Sequence, residues 1–282
     1  MEIINGKEIA KITREEIKQQ VLEIKNKYNK EIGLAVILVG ENPASQTYVN
    51  NKVKACEEVG IKSYYLKFDE NISQNELEKI IIDLSNNQDI HGILVQLPLP
   101  KHLDEKFILS LIPDKKDVDG FSESNIGKLF MGTPSTISCT PYGVMKMLEK
   151  INYSLEGKNA VVIGRSNIVG KPMAALLLNA NATVTICHSK TKNLQFYTKN
   201  ADLIVVAIGK PKFLKGDMIN QGAVVVDVGI NRVNGKLVGD VDFEDVKDKC
   251  SYITPVPGGV GPMTITMLLY NTLNLFKNER NN

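Results

Sequence analysis

Tyr48 and Lys52 are four residues apart in Tyr48-Val49-Asn50-Asn51-Lys52, and Ser45 lies three residues before Tyr48. On a helix that spacing puts all three side chains on one face. A phenol and an amine that point together into a recess can take a proton from a substrate and return it. The same spacing is common on solvated helices, so the pair alone does not settle the chemistry. Gln96 adds weight. It stands in Gly92-Ile93-Leu94-Val95-Gln96-Leu97, an otherwise apolar strand-like run that Pro98 and Pro100 bring to an end. A buried amide needs partners. It can be a satisfied core glutamine or a site residue, because α/β proteins build their sites at the C-terminal ends of strands. The third segment, Pro113-Asp114-Lys115-Lys116-Asp117-Val118-Asp119-Gly120, crowds three carboxylates into one loop. The spacing of a calcium loop is missing, so no metal is expected. Asp119 fits better as an acceptor for the paired N–H donors of a heterocycle.

A second group of residues points to a nucleotide. Gly164-Arg165-Ser166-Asn167-Ile168-Val169-Gly170-Lys171-Pro172 follows the apolar run Ala160-Val161-Val162-Ile163 and precedes a helix-like stretch over 173–179. Strand, glycine turn and helix together direct free backbone N–H groups at a bound phosphate. Ser166 stands where a second glycine is usual. Arg165, one of only four arginines, supplies a planar, permanently charged fork suited to phosphate. An NAD site carries a carboxylate after its second strand to bond the ribose hydroxyls. Here that position reads His188-Ser189-Lys190-Thr191-Lys192, with no carboxylate. Hydroxyls and lysines beside Arg165 attract a 2′-phosphate, so NADP is expected rather than NAD. An exposed loop that simply carries lysines is the bland alternative. Further on, Pro257-Gly258-Gly259-Val260-Gly261-Pro262 has three glycines in four residues. It serves as a strand-to-helix connector and lets its backbone approach a ligand closely.

The frame that must position these residues is an α/β one. Strand-like runs at 34–39, 63–68, 92–97, 160–163, 183–187, 203–207 and 223–228 alternate with helix-like stretches at 7–28, 44–59, 74–86, 140–151 and 263–276. That alternation predicts largely parallel sheets. Thr140 is expected to cap its helix, with Pro141 at the first helical position. Val233-Asn234-Gly235-Lys236 predicts a tight hairpin, and residues 277–282 a disordered tail. At 282 residues the chain is long enough for two domains. We expect two lobes around a cleft. Residues 1–138 form the catalytic domain, completed by a C-terminal helix over 262–282, and residues 139–261 form a Rossmann-type nucleotide domain.

Composition narrows the function. The chain is 43% hydrophobic and 23% charged, with a formal net charge of +2 and the two signs interspersed. A basic stripe for nucleic acid is missing, no apolar run reaches membrane-spanning length, and the N-terminus lacks a signal-peptide layout. A cytoplasmic protein is expected. The four cysteines and three histidines are scattered, which argues for buried thiols rather than a disulfide framework or a zinc site.

Taken together, these segments resemble the bifunctional methylenetetrahydrofolate dehydrogenase/cyclohydrolase family. The resemblance spans nearly the whole chain and rests on Tyr48 to Lys52, Gln96 to Pro100, Pro113 to Gly120, Gly164 to Pro172, and Pro257-Gly258-Gly259-Val260-Gly261-Pro262-Met263-Thr264. It implies oxidation of 5,10-methylenetetrahydrofolate by NADP, then hydrolysis of the methenyl cation to 10-formyltetrahydrofolate. It further implies that Lys52 is the central proton-handling or electrostatic residue, chiefly for the hydrolytic step, that Tyr48 stacks on the folate and that Gln96 holds Lys52. Asp119 would bond the pterin edge, and Pro257, Gly258 and Gly259 would line the folate site. Gly164, Arg165, Ser166 and Ser189 would hold the cofactor, with the Ile230 backbone near the nicotinamide. Tetrahydrofolate derivatives are the implied partners, and the implied assembly is a homodimer through the nucleotide domain. Weaker alternatives are a dehydrogenase lacking the hydrolytic step or preferring NAD, a silent NADP-binding regulator, and a shikimate-type dehydrogenase. The silent regulator would have no reason to keep Lys52, Gln96 and Asp119 together.

Overall fold

The computed structural model describes residues 1–281, with side chains through Arg280. In chain order the first elements are β1 (Glu2–Ile3), α1 (Gly6–Tyr28), β2 (Gly33–Val39), α2 (Pro43–Val59), β3 (Lys62–Phe68) and α3 (Gln74–Asn86). There follow β4 (Gly92–Val95), α4 (Glu105–Ser110), α5 (Glu123–Phe130), α6 (Cys139–Lys150), β5 (Asn159–Ile163), α7 (Gly170–Asn179) and β6 (Thr183–Cys187). The last are α8 (Leu194–Thr198), β7 (Leu203–Val206), β8 (Val224–Asp227), β9 (Asn231–Val233), β10 (Lys236–Val238), α9 (Phe243–Val246), β11 (Tyr252–Ile253) and α10 (Val260–Asn281).

These elements form two compact units. One comprises Ile12–Gly127, Ser135–Cys139 and the chain from Ile265 onward; the other comprises Met1–Lys11, Lys128–Pro134 and Thr140–Thr264. The first is built on a three-stranded parallel sheet in the order β3-β2-β4. All of β2 is buried, as an unbroken apolar strand must be when both faces are covered. Leu77 and Ile81 of α3 pack with Ile37 and Ile93 of the sheet. From α10 come Leu268, Leu269, Leu273 and Phe276, none more than 1% exposed. Burying such side chains stabilises by about 1.5–3 kcal/mol apiece.

The second unit holds a six-stranded sheet in the order β1-β11-β8-β7-β5-β6, parallel throughout. The chain passes from β5 through α7 to β6 on one side, and β7 then pairs on the other side of β5. The order therefore reverses between β5 and β7, and the C-terminal ends of those two strands are where such a sheet takes a ligand. The β9–β10 hairpin turns at Asn234 and Gly235, with φ of 48° and 78°, as a two-residue turn with both φ positive requires.

Several expectations change. The helix at 140–151 begins at Cys139, so Thr140 lies within it rather than capping it, and its hydroxyl meets that of Thr264 at 3.0 Å. The strand ending at 97 stops at Val95, leaving Gln96 just beyond it. The tail is ordered as the last turns of α10. Lys277 Nζ donates to Gln20 Oε1 at 2.6 Å, and the Arg280 guanidinium lies 5.5 Å from the Tyr28 and Phe276 rings. Asn282 lies outside the described residues. Met1–Lys11 belongs to the six-stranded unit because β1 pairs with β11 and Ile4 N donates to Ile253 O at 2.9 Å. The short helices α4, α5, α8 and α9 span too few turns to leave a periodic signal.

Candidate active site

Asn42 sets the start of α2. Its Oδ1 accepts N–H donors from Ala44 at 3.0 Å and Ser45 at 3.2 Å, with Pro43 at the first helical position. Gly60, at φ 82°, ends the helix. Ser45 turns into the core, whereas Tyr48 stays 39% exposed. Partial burial raises the Tyr48 phenol above its ordinary value. One turn further, Lys52 Nζ donates to Gln96 Oε1 at 3.0 Å. Gln96 can meet it because its backbone N–H, bonded to Ile37 O at 2.9 Å, prolongs the β2–β4 ladder by one residue. The amide nitrogen donates to Leu97 O at 2.7 Å. Gln96 is therefore a satisfied amide at a strand end, and its oxygen faces the lysine.

The two carboxylates at 117 and 119 have separate tasks. Asp117 is buried and accepts N–H donors from Gly120 at 2.9 Å, Ser122 at 2.8 Å and Asn125 Nδ2 at 2.9 Å. It holds the loop together. Gly120, at φ 68°, passes so close to Ile137 and Ser138 that a Cβ would lie 2.9 Å from their backbone. Asp119 keeps some solvent contact, yet protein surrounds it closely enough that lost hydration dominates. Its carboxyl is pushed up to about 6 by desolvation, against the lowering influence of the Lys52 charge and with a further rise from Asp117. Beside it, the Cys139 thiol donates to Val118 O at 3.3 Å and lies 3.9 Å from Asp119 Oδ1. Burial pushes that thiol well up. Asn271 Nδ2 ties the segment down, donating to Val118 O and Ile137 O at 2.8 Å each. Lys52, Gln96 and Asp119 thus belong to one unit, with the lysine charge felt at Asp119. Among the described residues no cluster of three or more His, Cys, Asp or Glu could hold a metal ion.

In the six-stranded unit, Gly164 has φ 130°, and a Cβ there would fall 2.3 Å from Ala207 O. Only glycine lets the loops after β5 and β7 approach so closely. The N–H groups of the turn are less free than expected. Ser166 Oγ accepts those of Val169 at 3.1 Å and Gly170 at 3.3 Å, so Ser166 caps α7 and keeps its O–H to donate. Arg165 is exposed and makes no hydrogen bond or ion pair among the described residues. Ser189 is exposed in the turn after β6, where Thr191 Oγ1 accepts the His188 N–H at 2.8 Å. An unengaged guanidinium, a free hydroxyl donor and a turn without carboxylates form a donor set that suits a nucleotide bearing an extra phosphate. Ile230 is 44% exposed. Gly258 O accepts the Lys7 N–H at 2.9 Å, and a Cβ on Gly6 would sit 1.9 Å from Gly259 O. The Pro257-Gly258-Gly259 backbone thus packs tightly on the start of the chain.

Four residues escaped the motifs. Asn271 is a buried amide of α10, where Thr266 and Thr272 are buried too, and an asparagine within that mostly apolar stretch was its signal. Cys139 left none. Asp227 ends the apolar strand β8 and, like Asp240, is buried. A carboxylate closing an apolar strand beside glycines is a detectable pattern.

Family models match in two blocks, tetrahydrofolate dehydrogenase/cyclohydrolase, catalytic domain, over residues 4–119, and its NAD(P)-binding domain over residues 138–280. The chain is 61% identical over 274 residues to the bifunctional protein FolD of Campylobacter concisus, covering 97% of this chain and 96% of that one. The crystal structure of the Campylobacter jejuni FolD methylenetetrahydrofolate dehydrogenase/cyclohydrolase superposes with a TM-score of 0.97 at 56% identity, over 99% of both chains. The Trypanosoma brucei enzyme, solved with NADP and an inhibitor, superposes at 0.95 and 38% identity, over 99% of this chain and 98% of that one. Sequence, fold and matched blocks agree: the chain belongs to the tetrahydrofolate dehydrogenase/cyclohydrolase family.

Proposed function

We propose that this chain oxidises 5,10-methylenetetrahydrofolate to the 5,10-methenyl cation with NADP and hydrolyses that cation to 10-formyltetrahydrofolate. The observation that carries the reading is the 3.0 Å hydrogen bond from Lys52 to Gln96, on the same unit as a carboxylate raised to about 6. In the first step a C–H bond of the one-carbon bridge breaks and NADP takes up the hydride. In the second, a water oxygen bonds to the bridge carbon and one water proton passes to the Lys52 amine. The carbon–N5 bond then breaks as the remaining O–H becomes the formyl C=O and its proton goes to N5; the formyl group remains on N10 and Lys52 gives its proton up to solvent. Lys52 acts at the water proton and Gln96 keeps its amine in place. Tyr48 offers a half-exposed ring for the folate to stack on. Asp119 accepts the paired N–H donors of the pterin's amino-pyrimidine edge, which favours its ionised form.

Arg165 and the hydroxyls of Ser166 and Ser189 hold the phosphates of NADP, Gly164 leaves room for them, and the Ile230 backbone lies along the nicotinamide. We place the protein in the cytoplasm as a homodimer, without nucleic acid or lipid as a partner. Among the described residues no helix is long and apolar enough to cross a membrane. The test is ultraviolet monitoring of the purified protein with methylenetetrahydrofolate and NADP. Methenyl absorbance should rise and then decay; a rise without decay removes the hydrolytic half, and no rise removes the assignment.

A further inference from the structure

The six-stranded unit buries two carboxylates that the chemistry above does not use. Asp240 has no exposed surface and Asp227 is 3% exposed. Neither is matched to a cation in the bonds that satisfy it. Asp240 Oδ2 accepts the N–H groups of Ile208 at 2.7 Å and Gly209 at 2.9 Å; Oδ1 accepts those of Lys210 at 2.8 Å and Asn231 Nδ2 at 2.9 Å. Asp227 Oδ1 accepts the N–H groups of Gly229 and Asp240, and Oδ2 that of Val241, all at 2.9 Å. Burying an anion is costly, and apolar packing could join these segments without that cost. What the carboxylates add is position. Residues 208–210 leave the end of β7, beside the Gly164 turn, at the reversal of strand order. Gly229 and Asn231 flank Ile230, so the two carboxylates fix the backbone on either side of it. Two glycines make room: a Cβ on Gly229 would fall 2.2 Å from Asp240 Cγ, and one on Gly239 would fall 1.8 Å from Asp227 Oδ2.

We propose that Asp240 is a positioning residue for the cofactor: its one carboxylate clamps the loop after β7 to the loop after β8 and so sets the backbone along which the dinucleotide lies. The inference rests on the proposed NADP site. Asp240→Asn tests it, because whichever oxygen becomes an amide nitrogen, two N–H donors lose their acceptor. Asn231→Ala releases only the second loop and guards against a variant that fails to fold. The expected result is a 10-fold or greater rise in the NADP dissociation constant by calorimetry, with faster hydrogen exchange at residues 208–210 for Asp240→Asn. Hydrolysis of the methenyl substrate, which needs no NADP, should stay within twofold of wild type. Wild-type NADP affinity in the folded variants overturns the proposal, as does equal loss of both activities in Asn231→Ala. If the wild-type chain itself bound no NADP, the reading of the site would fail first and take this clamp with it.

Discussion

Lys52 Nζ and Gln96 Oε1 meet at 3.0 Å across 44 residues of chain, and the Gln96 nitrogen is already committed to Leu97 O. The amide therefore cannot flip without losing both bonds. Gln96→Ala should leave the amine without its acceptor and slow the hydrolytic step roughly 10- to 100-fold. Lys52→Gln should slow it further, by about 10²–10⁴-fold, the usual worth of a positioned acid–base group. Decay of methenyl absorbance in single-turnover assays gives both numbers. Unchanged hydrolysis by Lys52→Gln would take the lysine out of the mechanism.

Asp119 should link folate binding to stability. Its carboxyl is held up to about 6 in the folded chain, against about 3.9 when unfolded. An acid raised in this way contributes stability that is fully present below the unfolded value and lost as pH rises through the folded one. Asp119→Asn should therefore melt higher than wild type at pH 8. The gain is about 1–2 kcal/mol after allowing for the solvent that reaches the group. Scanning calorimetry should show the gap closing by pH 4. The same variant should raise the KM for the folate at least 10-fold, since an amide cannot accept both pterin donors. Stabilisation and loss of binding in one variant would separate this role from a structural one.

His91 should shape the acid limb. It is buried, and its Nδ1 accepts the Gly33 N–H at 2.9 Å, so a proton on that nitrogen would break the bond. Desolvation lowers its pKa, opposed by Glu279 and aided by Lys116, Lys30 and Arg280. For a histidine lowered on folding, stability is full above the unfolded value of about 6.5 and is lost as pH falls through the folded one. Denaturant titrations of wild type should show this decline below pH 6.5. His91→Ala should be less stable at pH 7.5 by about 1–3 kcal/mol, because the Gly33 donor is orphaned. Its own profile should be flatter below pH 6.5.

Asn271 should matter more than its distance from any motif suggests. Removing its amide leaves Ile137 O without that donor, while Val118 O keeps the Cys139 thiol. Asn271→Ala should cost about 1–3 kcal/mol, since an unsatisfied buried acceptor is expensive. Because Val118 adjoins Asp119, the KM for folate should rise with it. Equilibrium unfolding and steady-state kinetics on one preparation would register both, and a stability loss with an unaltered KM would confine Asn271 to the fold.

Much of the frame was legible because its signals are local. The unbroken apolar run of β2, the strand–glycine–helix passage at 160–179 and the Asn234-Gly235 turn each declare themselves within a few residues. The return of the C-terminal helix to the first domain was expected, but the strand order and the transfer of Met1–Lys11 to the six-stranded unit were not legible, since pairing β1 with β11 joins residues about 250 positions apart. The last turns of α10 read as a polar tail because their support comes from Gln20 and Tyr28, far away in sequence.

The amino-acid sequence by itself determined which residue types were present for the chemistry: an amine and a phenol at helical spacing, an amide at a strand end, a carboxylate in a loop, and a glycine turn beside an arginine. Only tertiary structure decided their tasks. Asp117 and Asp119 are two residues apart, yet one spends its oxygens on the N–H groups of Gly120, Ser122 and Asn125, and the other stands desolvated beside the Cys139 thiol and within reach of the Lys52 charge. Ser166 serves as a cap, and Asp240 joins two loops. The physical reason is that a polar group's role depends on which donors and charges surround it and on how much water it has lost, and those are fixed by parts of the chain distant in sequence.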